Sequence, residues 1–210
     1  ANISFIFFFY LFLITIIGHG RMFSFIFYPN FSKLNFGYQG LIGIFFLSLT
    51  AMLSSFFFAH SFVFNCFILL IGFISFFYKQ DKISFKKDLK FLALIALLSL
   101  VGLYIFKNHD DFPYYHLPYS LTLVENQFIL GMGNLGHGYR TPSSIFYFNS
   151  LLYFPYIKYY LFHAHGLYTI IFFNIICLKF IFEKINKKSY DFFIFYIYYH
   201  LYLLIVFFIE

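Results

Sequence analysis

The sequence predicts an all-α fold, a polytopic bundle of transmembrane helices with an outer loop carrying interfacial juxtamembrane helices. Three observations carry that prediction. Of 210 residues, 62% are hydrophobic and 10% charged, and the mean hydropathy is +0.81. An ordinary soluble domain carries about 25% charged residues, so eight acids and fourteen bases leave much of the surface facing lipid. The apolar runs are apolar all round, unlike a soluble amphipathic helix, and they lack the alternation that a transmembrane β-barrel needs. Most of the bases collect in short segments between the runs, which is how inward loops of a membrane protein look. The net charge of +6 therefore forms no basic face for a phosphate backbone, and nucleic acid is not an expected partner. Phe, Tyr, Ile, Asn and Lys share AT-rich codons, so the 39 Phe and 20 Tyr carry codon bias as well as lipid preference.

The first run, Ile3 to Ile17, lacks a basic leader and a small-residue cleavage site, so it reads as a retained span. No Asp, Glu, Lys or Arg occurs between Lys33 and Lys79, a stretch too long for one crossing. It suits a helical hairpin, Gln39–Phe58 and Ser61–Tyr78, turning near His60. Phe91–Phe106 would be only about 24 Å long as a helix, so its flanks must contribute. Ile145–Ile157 is short and interrupted by Asn149 and Pro155, and reads as an interfacial helix over 145–158. Gly166–Phe182 and Phe192–Ile209 complete the spans. The chain divides into residues 1–90, with the first helices and a basic cytoplasmic loop, and residues 91–210, with the later helices and the outer loop 107–144. It starts at Ala1 and stops at Glu210 directly after an apolar run, and is expected to be part of a longer protein.

Sidedness follows from the bases. Lys79–Lys90 holds five Lys and two Asp, and Glu183–Asp191 three more Lys, so both are expected on the cytoplasmic side, as is the short loop with Arg21 and Lys33. Lys107–Ser144, with one Lys, one Arg, three acids and three His, is expected outside. Chemistry should lie in that long connection, since loops beyond about 15 residues are commonly functional. Adjacent carboxylates Asp110 and Asp111 stand just past a span, flanked by His109 and His116. Two neighbouring carboxylates against apolar groups hold protons more tightly, which suits general-base work. Pro118 opens a short helix whose Leu117, Leu121, Val124 and Phe128 form an apolar face for the bilayer surface.

The run Asp110-Asp111-Phe112-Pro113-Tyr114-Tyr115-His116-Leu117-Pro118, placed after an outward-going span, resembles the first outer loop of C-type (GT-C) membrane glycosyltransferases. In that superfamily the loop starts with an Asp, often with a second acid and then an aromatic, and juxtamembrane helices follow. The resemblance covers residues 91–182. It implies sugar transfer from a polyprenyl-phosphate-linked donor to a glycan, lipid or protein acceptor on the outer face of a bacterial inner membrane. It makes Asp110 the base that deprotonates the acceptor hydroxyl, Asp111 its partner acid and Tyr114 the trailing aromatic, with Tyr115-His116-Leu117-Pro118 matching a bacterial subset. The chain departs from the simplest family pattern in having three spans before the one that bears the motif.

An inverting displacement also needs groups for the departing lipid phosphate, and the loop offers Arg140, Lys107 and, as a proton donor, His137. Arg140 suits the bilayer's own headgroups equally well. No cofactor is required. His109, Asp110, Asp111 and His116 could gather a divalent metal, although no familiar ligand spacing is present. Gly131-Met132-Gly133-Asn134-Leu135-Gly136 fits G-x-G-x-x-G by letter, but an outer loop cannot build the strand–turn–helix a dinucleotide needs, so a turning loop is expected. His163 and His165 read as interfacial, while His60 and His200 stand out as polar groups at or beside spans. Rival readings are a transporter or flippase for a lipid-linked or small substrate, and an oligosaccharide polymerase or ligase. The first usually places charges at mid-membrane, and the second tends to carry more outer arginines.

Overall fold

The computed structural model describes residues 3–27, 34–78, 82–104, 110–140, 142–162 and 164–185. Within them the secondary structure is helical, apart from an isolated bridge between Phe154 and Lys158. In chain order the α-helices are α1 (Ile3–Phe27), α2 (Phe36–Ser55), α3 (Phe62–Phe77), α4 (Lys82–Tyr104), α5 (Leu117–Glu125), α6 (Ser144–Leu151) and α7 (Ala164–Ile185). Three of them contain segments long and apolar enough to cross a membrane: Ser4–Phe27, Phe36–Ser55 and Ala164–Ile181. Such segments must satisfy every backbone polar group internally, and the α-helix does so regardless of the weak helix propensity of Phe and Ile.

The ends of the helices correct the sequence reading. Instead of stopping at Ile17, α1 continues ten residues to Phe27. Gly18, Gly20 and Arg21, expected at a helix end and in an inward loop, are packing positions. A Cβ on Gly20 would stand 2.6 Å from the Gly43 nitrogen, and one on Gly43 would stand 2.8 Å from the Ile16 carbonyl carbon. Backbones therefore touch where α1 crosses α2, the small-residue contact favoured between helices in lipid. Gly18 meets Gly72 of α3 in the same way. Arg21 is buried and its Nε donates to the Tyr78 carbonyl at 2.8 Å. Likewise α4 starts nine residues before Phe91 and takes in Lys82–Lys90, which was expected as a loop. The reason is Asp88, buried at the start of α2: its Oδ2 accepts the Phe36 amide at 3.3 Å and its Oδ1 pairs with Lys179 Nζ of α7 at 3.3 Å. This joins α2, α4 and α7 at one end of the bundle, where Asn35 also caps α2 by accepting the Tyr38 amide.

At the other end the α2–α3 turn is bonded to the polar connection. The His60 amide donates to the Leu123 carbonyl at 2.8 Å and the Phe128 amide to the Ser55 carbonyl. Helix α6 has eight residues, about 12 Å, less than half a hydrocarbon core, and turns follow it up to Phe162. The buried face of α5 is Tyr119, Ser120, Leu123 and Val124, with α6 packed against the helix; of the face expected on the bilayer, Val124 is buried and Leu117, Leu121 and Phe128 are half-buried. The span over Phe192–Ile209, with Lys33, Lys107, His109, His163, His200 and most of the second basic segment, lies outside the described residues.

Candidate functional site

The candidate site is the turn that follows α4. Asp110 is exposed and Asp111 half-buried. From Phe112 to His116 the backbone forms one π-helical turn, closed by the Leu117 amide donating to the Phe112 carbonyl. Pro118, the second residue of α5, has no N–H for the carbonyl four residues back, so the Tyr114 carbonyl gets no α-type bond where the π-turn meets the helix. The Asp111 carbonyl accepts both the Tyr114 and Tyr115 amides at 3.2 Å. The same turn lets the Tyr115 hydroxyl donate to Asp111 Oδ2 at 3.2 Å. Burial, then this bond and the charge on Asp111, raise the Tyr115 phenol above its usual value.

A second layer supports the turn. The Tyr115 ring lies over Gly138, where any Cβ would enter the ring. Gly138 belongs to a 3₁₀ turn, His137–Tyr139, so the acids and the glycine-rich segment are neighbours through Tyr115. His116 stands between Tyr115 and Phe146, with ring centroids at 4.5 and 4.9 Å, within electrostatic reach of His165. Tyr119, almost fully buried, stacks on Tyr139 and shares a 3.0 Å hydroxyl contact with Tyr147 of α6. Burial and that contact push its phenol well up, which keeps the hydroxyl neutral.

Gly131 has φ +88°, the left-handed conformation that favours glycine, and a 3₁₀ turn, Met132–Asn134, follows. The G-x-G-x-x-G letters thus lie on tight turns with no strand before them among the described residues. Arg140 is exposed, and its Nε donates to the Gly133 carbonyl at 3.4 Å, which leaves the terminal nitrogens of its fork to other acceptors. Tyr114 is 76% exposed, so the aromatic that meets the acids is Tyr115. Of the residues singled out in the sequence, Asp111, His116 and the His137 turn are brought together. The backbone of His137 is described, while Lys107 and His109 lie outside. Among the described residues no three His, Cys, Asp or Glu side chains converge as metal ligands.

Sequence reasoning missed a polar cluster between the α2–α3 turn and α6. His60 is fully buried, with Ser54 Oγ 2.9 Å from Nε2 and Ser150 Oγ 2.6 Å from Nδ1. Asn65 Nδ2 donates to the Ser150 and Tyr153 carbonyls at 2.9 and 3.1 Å. The cluster ties the first hairpin to the layer that carries the site. Its only signals in sequence were a His in a charge-free stretch and polar residues, Asn149 and Ser150, interrupting an apolar run.

Comparison with known proteins finds no family model, no curated protein and no solved structure that this chain matches.

Proposed function

We propose that this chain is part of a membrane glycosyltransferase that moves a sugar from a polyprenyl-phosphate donor to an acceptor hydroxyl at the outer face of the membrane. The reading rests above all on the acid pair: Asp110 is open to solvent while Asp111 beside it is held by Tyr115. In the proposed step Asp110 takes the acceptor's proton as the hydroxyl oxygen bonds to the anomeric carbon. The bond from that carbon to the phosphate oxygen breaks, and the lipid phosphate leaves with the electron pair. Arg140, whose terminal nitrogens are left to other acceptors, suits that phosphate, and His137 and Lys107 are further candidates from the same loop. Asp111 and Tyr115 act as positioning groups that keep the Asp110 turn in place. The resemblance to C-type transferases supplies the reaction class, and bacterial inner-membrane localisation belongs to the same proposal.

The test is sugar transfer by the full-length protein from a polyprenyl-phosphate donor. Asp110→Asn should lower turnover at least about 100-fold, the usual contribution of a general base. Tyr115→Phe should lower it by about 10- to 100-fold, in line with one lost hydrogen bond to a charged group. Unchanged turnover in Asp110→Asn and Asp111→Asn sinks the assignment. A second reading, a transporter or flippase, draws on buried polar groups inside the helices: His19 Nδ1 and Asn65 Oδ1 are buried with no hydrogen-bond partner. Substrate movement without transfer, impaired by His19→Phe or Asn65→Leu and insensitive to Asp110→Asn, would favour it.

A further inference from the structure

The second turn of α4 reads Lys86-Lys87-Asp88-Leu89-Lys90, bases with an acid among them. In the fold the acid leaves the surface. Asp88 is 1% exposed and is engaged by Lys179 and by the Phe36 amide, while Lys86, Lys87 and Lys90 are exposed. What remains outward on this stretch is three positive charges and no negative one. Two other bases of the same end do not add to it, because Arg21 is buried and Lys179 is paired with Asp88.

The same helix then turns aliphatic. Leu89, Leu94, Leu97 and Leu98 are exposed by 42%, 49%, 63% and 60%. Lys86, Lys90, Leu94 and Leu97 follow one another at intervals of four, four and three, so they share a helix face. From Lys90 to Leu97 the helix rises about 10 Å, enough to pass from a headgroup layer into hydrocarbon. Lysine stems are long enough to lie along such a face with their ammonium groups at the phosphate level.

We propose that this face of α4 is a binding surface for anionic phospholipid, with Lys86, Lys87 and Lys90 holding the headgroup and Leu94 and Leu97 lying against the acyl chains. The bilayer lipid is the occupant, because a soluble anion would have no use for the leucine stripe that continues the cationic turn. Burial of Asp88 makes the surface single-signed, and this links the ion pair inside the bundle to lipid choice outside it. The inference does not depend on the transferase reading.

The experiment is lipid binding to the purified full chain in a neutral detergent, followed by native mass spectrometry with phosphatidylglycerol or phosphatidylcholine. The unaltered chain should prefer phosphatidylglycerol by tenfold or more. Combined Lys86→Gln, Lys87→Gln and Lys90→Gln should weaken phosphatidylglycerol binding by about fivefold for each lysine, hence about 100-fold together, and abolish the preference. Lys158→Gln, at the opposite end, should leave it intact. Because all three positions are exposed and Gln is a good helix former, helix content should not change. A single Lys90→Glu variant adds a reversal that should weaken binding further than Lys90→Gln. Retained preference in the triple variant overturns the proposal. So does full competition by inorganic phosphate at the concentration of the lipid, which would mean that the surface reads a free anion.

Discussion

Replacing Gly43 with Ala tests the packing that holds the bundle together. Without a side chain, Gly43 lets α2 meet α1 backbone to backbone. An added Cβ would stand 2.8 Å from the Ile16 carbonyl carbon and 3.1 Å from the Gly20 nitrogen, and would enter the Ile16 carbonyl oxygen. Non-bonded carbons prefer about 3.5–4.0 Å, so the helices must separate by roughly 1 Å. A gap of that size forfeits a quarter to a half of each dispersion contact along the crossing. The obstacle is main chain and cannot rotate aside, so the loss belongs at the upper end of overpacking costs, about 3 kcal/mol. For a chain of this size that is a fall in Tm of about 6–12 °C, read from thermal loss of helical circular dichroism in detergent. Gly166 supplies the internal control: a Cβ there meets nothing within 4 Å, so Gly166→Ala should be neutral or raise stability by up to about 1 kcal/mol through helix propensity. Gly20→Ala added to Gly43→Ala should cost less than it does alone, since the helices are already apart. A loss below about 1 kcal/mol for Gly43→Ala, or equal losses at Gly43 and Gly166, would refute the close crossing.

Two further outcomes follow from the polar anchors at either end of the bundle. Burial pushes the His60 ring down from 6.5 to about 4, so the unfolded chain binds a proton there that the folded chain does not. Its contribution is fully present above pH 6.5 and is lost as the pH falls toward 4, with an upper limit of order 3 kcal/mol. The gap in Tm between the unaltered chain and His60→Gln should therefore narrow between pH 7 and pH 4.5; a gap independent of pH would mean that His60 is not held neutral. At the other end, Asp88→Ala leaves the Lys179 ammonium and the Phe36 amide without their carboxylate, and stability should drop by about 3 kcal/mol. Replacing both Asp88 and Lys179 by Leu should recover part of that, and a thermal melt of the single and double variants reads it directly.

What the sequence made legible was depth, and what it concealed was partnership. Helices α2, α3 and α7 fall within about three residues of their expected limits because an apolar run has to close its own hydrogen bonds. The start of α4 and the end of α1 were not legible, because local signs pointed the wrong way. A Gly-His-Gly-Arg sequence looks like a helix end, and a Lys-rich one like a loop, until the chains that receive them are known. Gly20 is explained by Gly43, and Asp88 by Lys179, 91 residues away. The candidate site divides in the same manner. Asp110 and Asp111 could be found from charge alone, since acids are so scarce in this chain. That Tyr115 rather than Tyr114 reaches Asp111 follows from their spacing of four, which becomes legible only once the segment is known to turn helically from Asp111 onward. His60 and Ser150 meet across 90 residues; each stands out locally as a polar residue in an apolar stretch, but nothing local pairs them. In a chain with so few polar groups, a buried one that finds a partner takes its role from that partner. The residues that position the site are therefore those whose polarity has no explanation within their own helix.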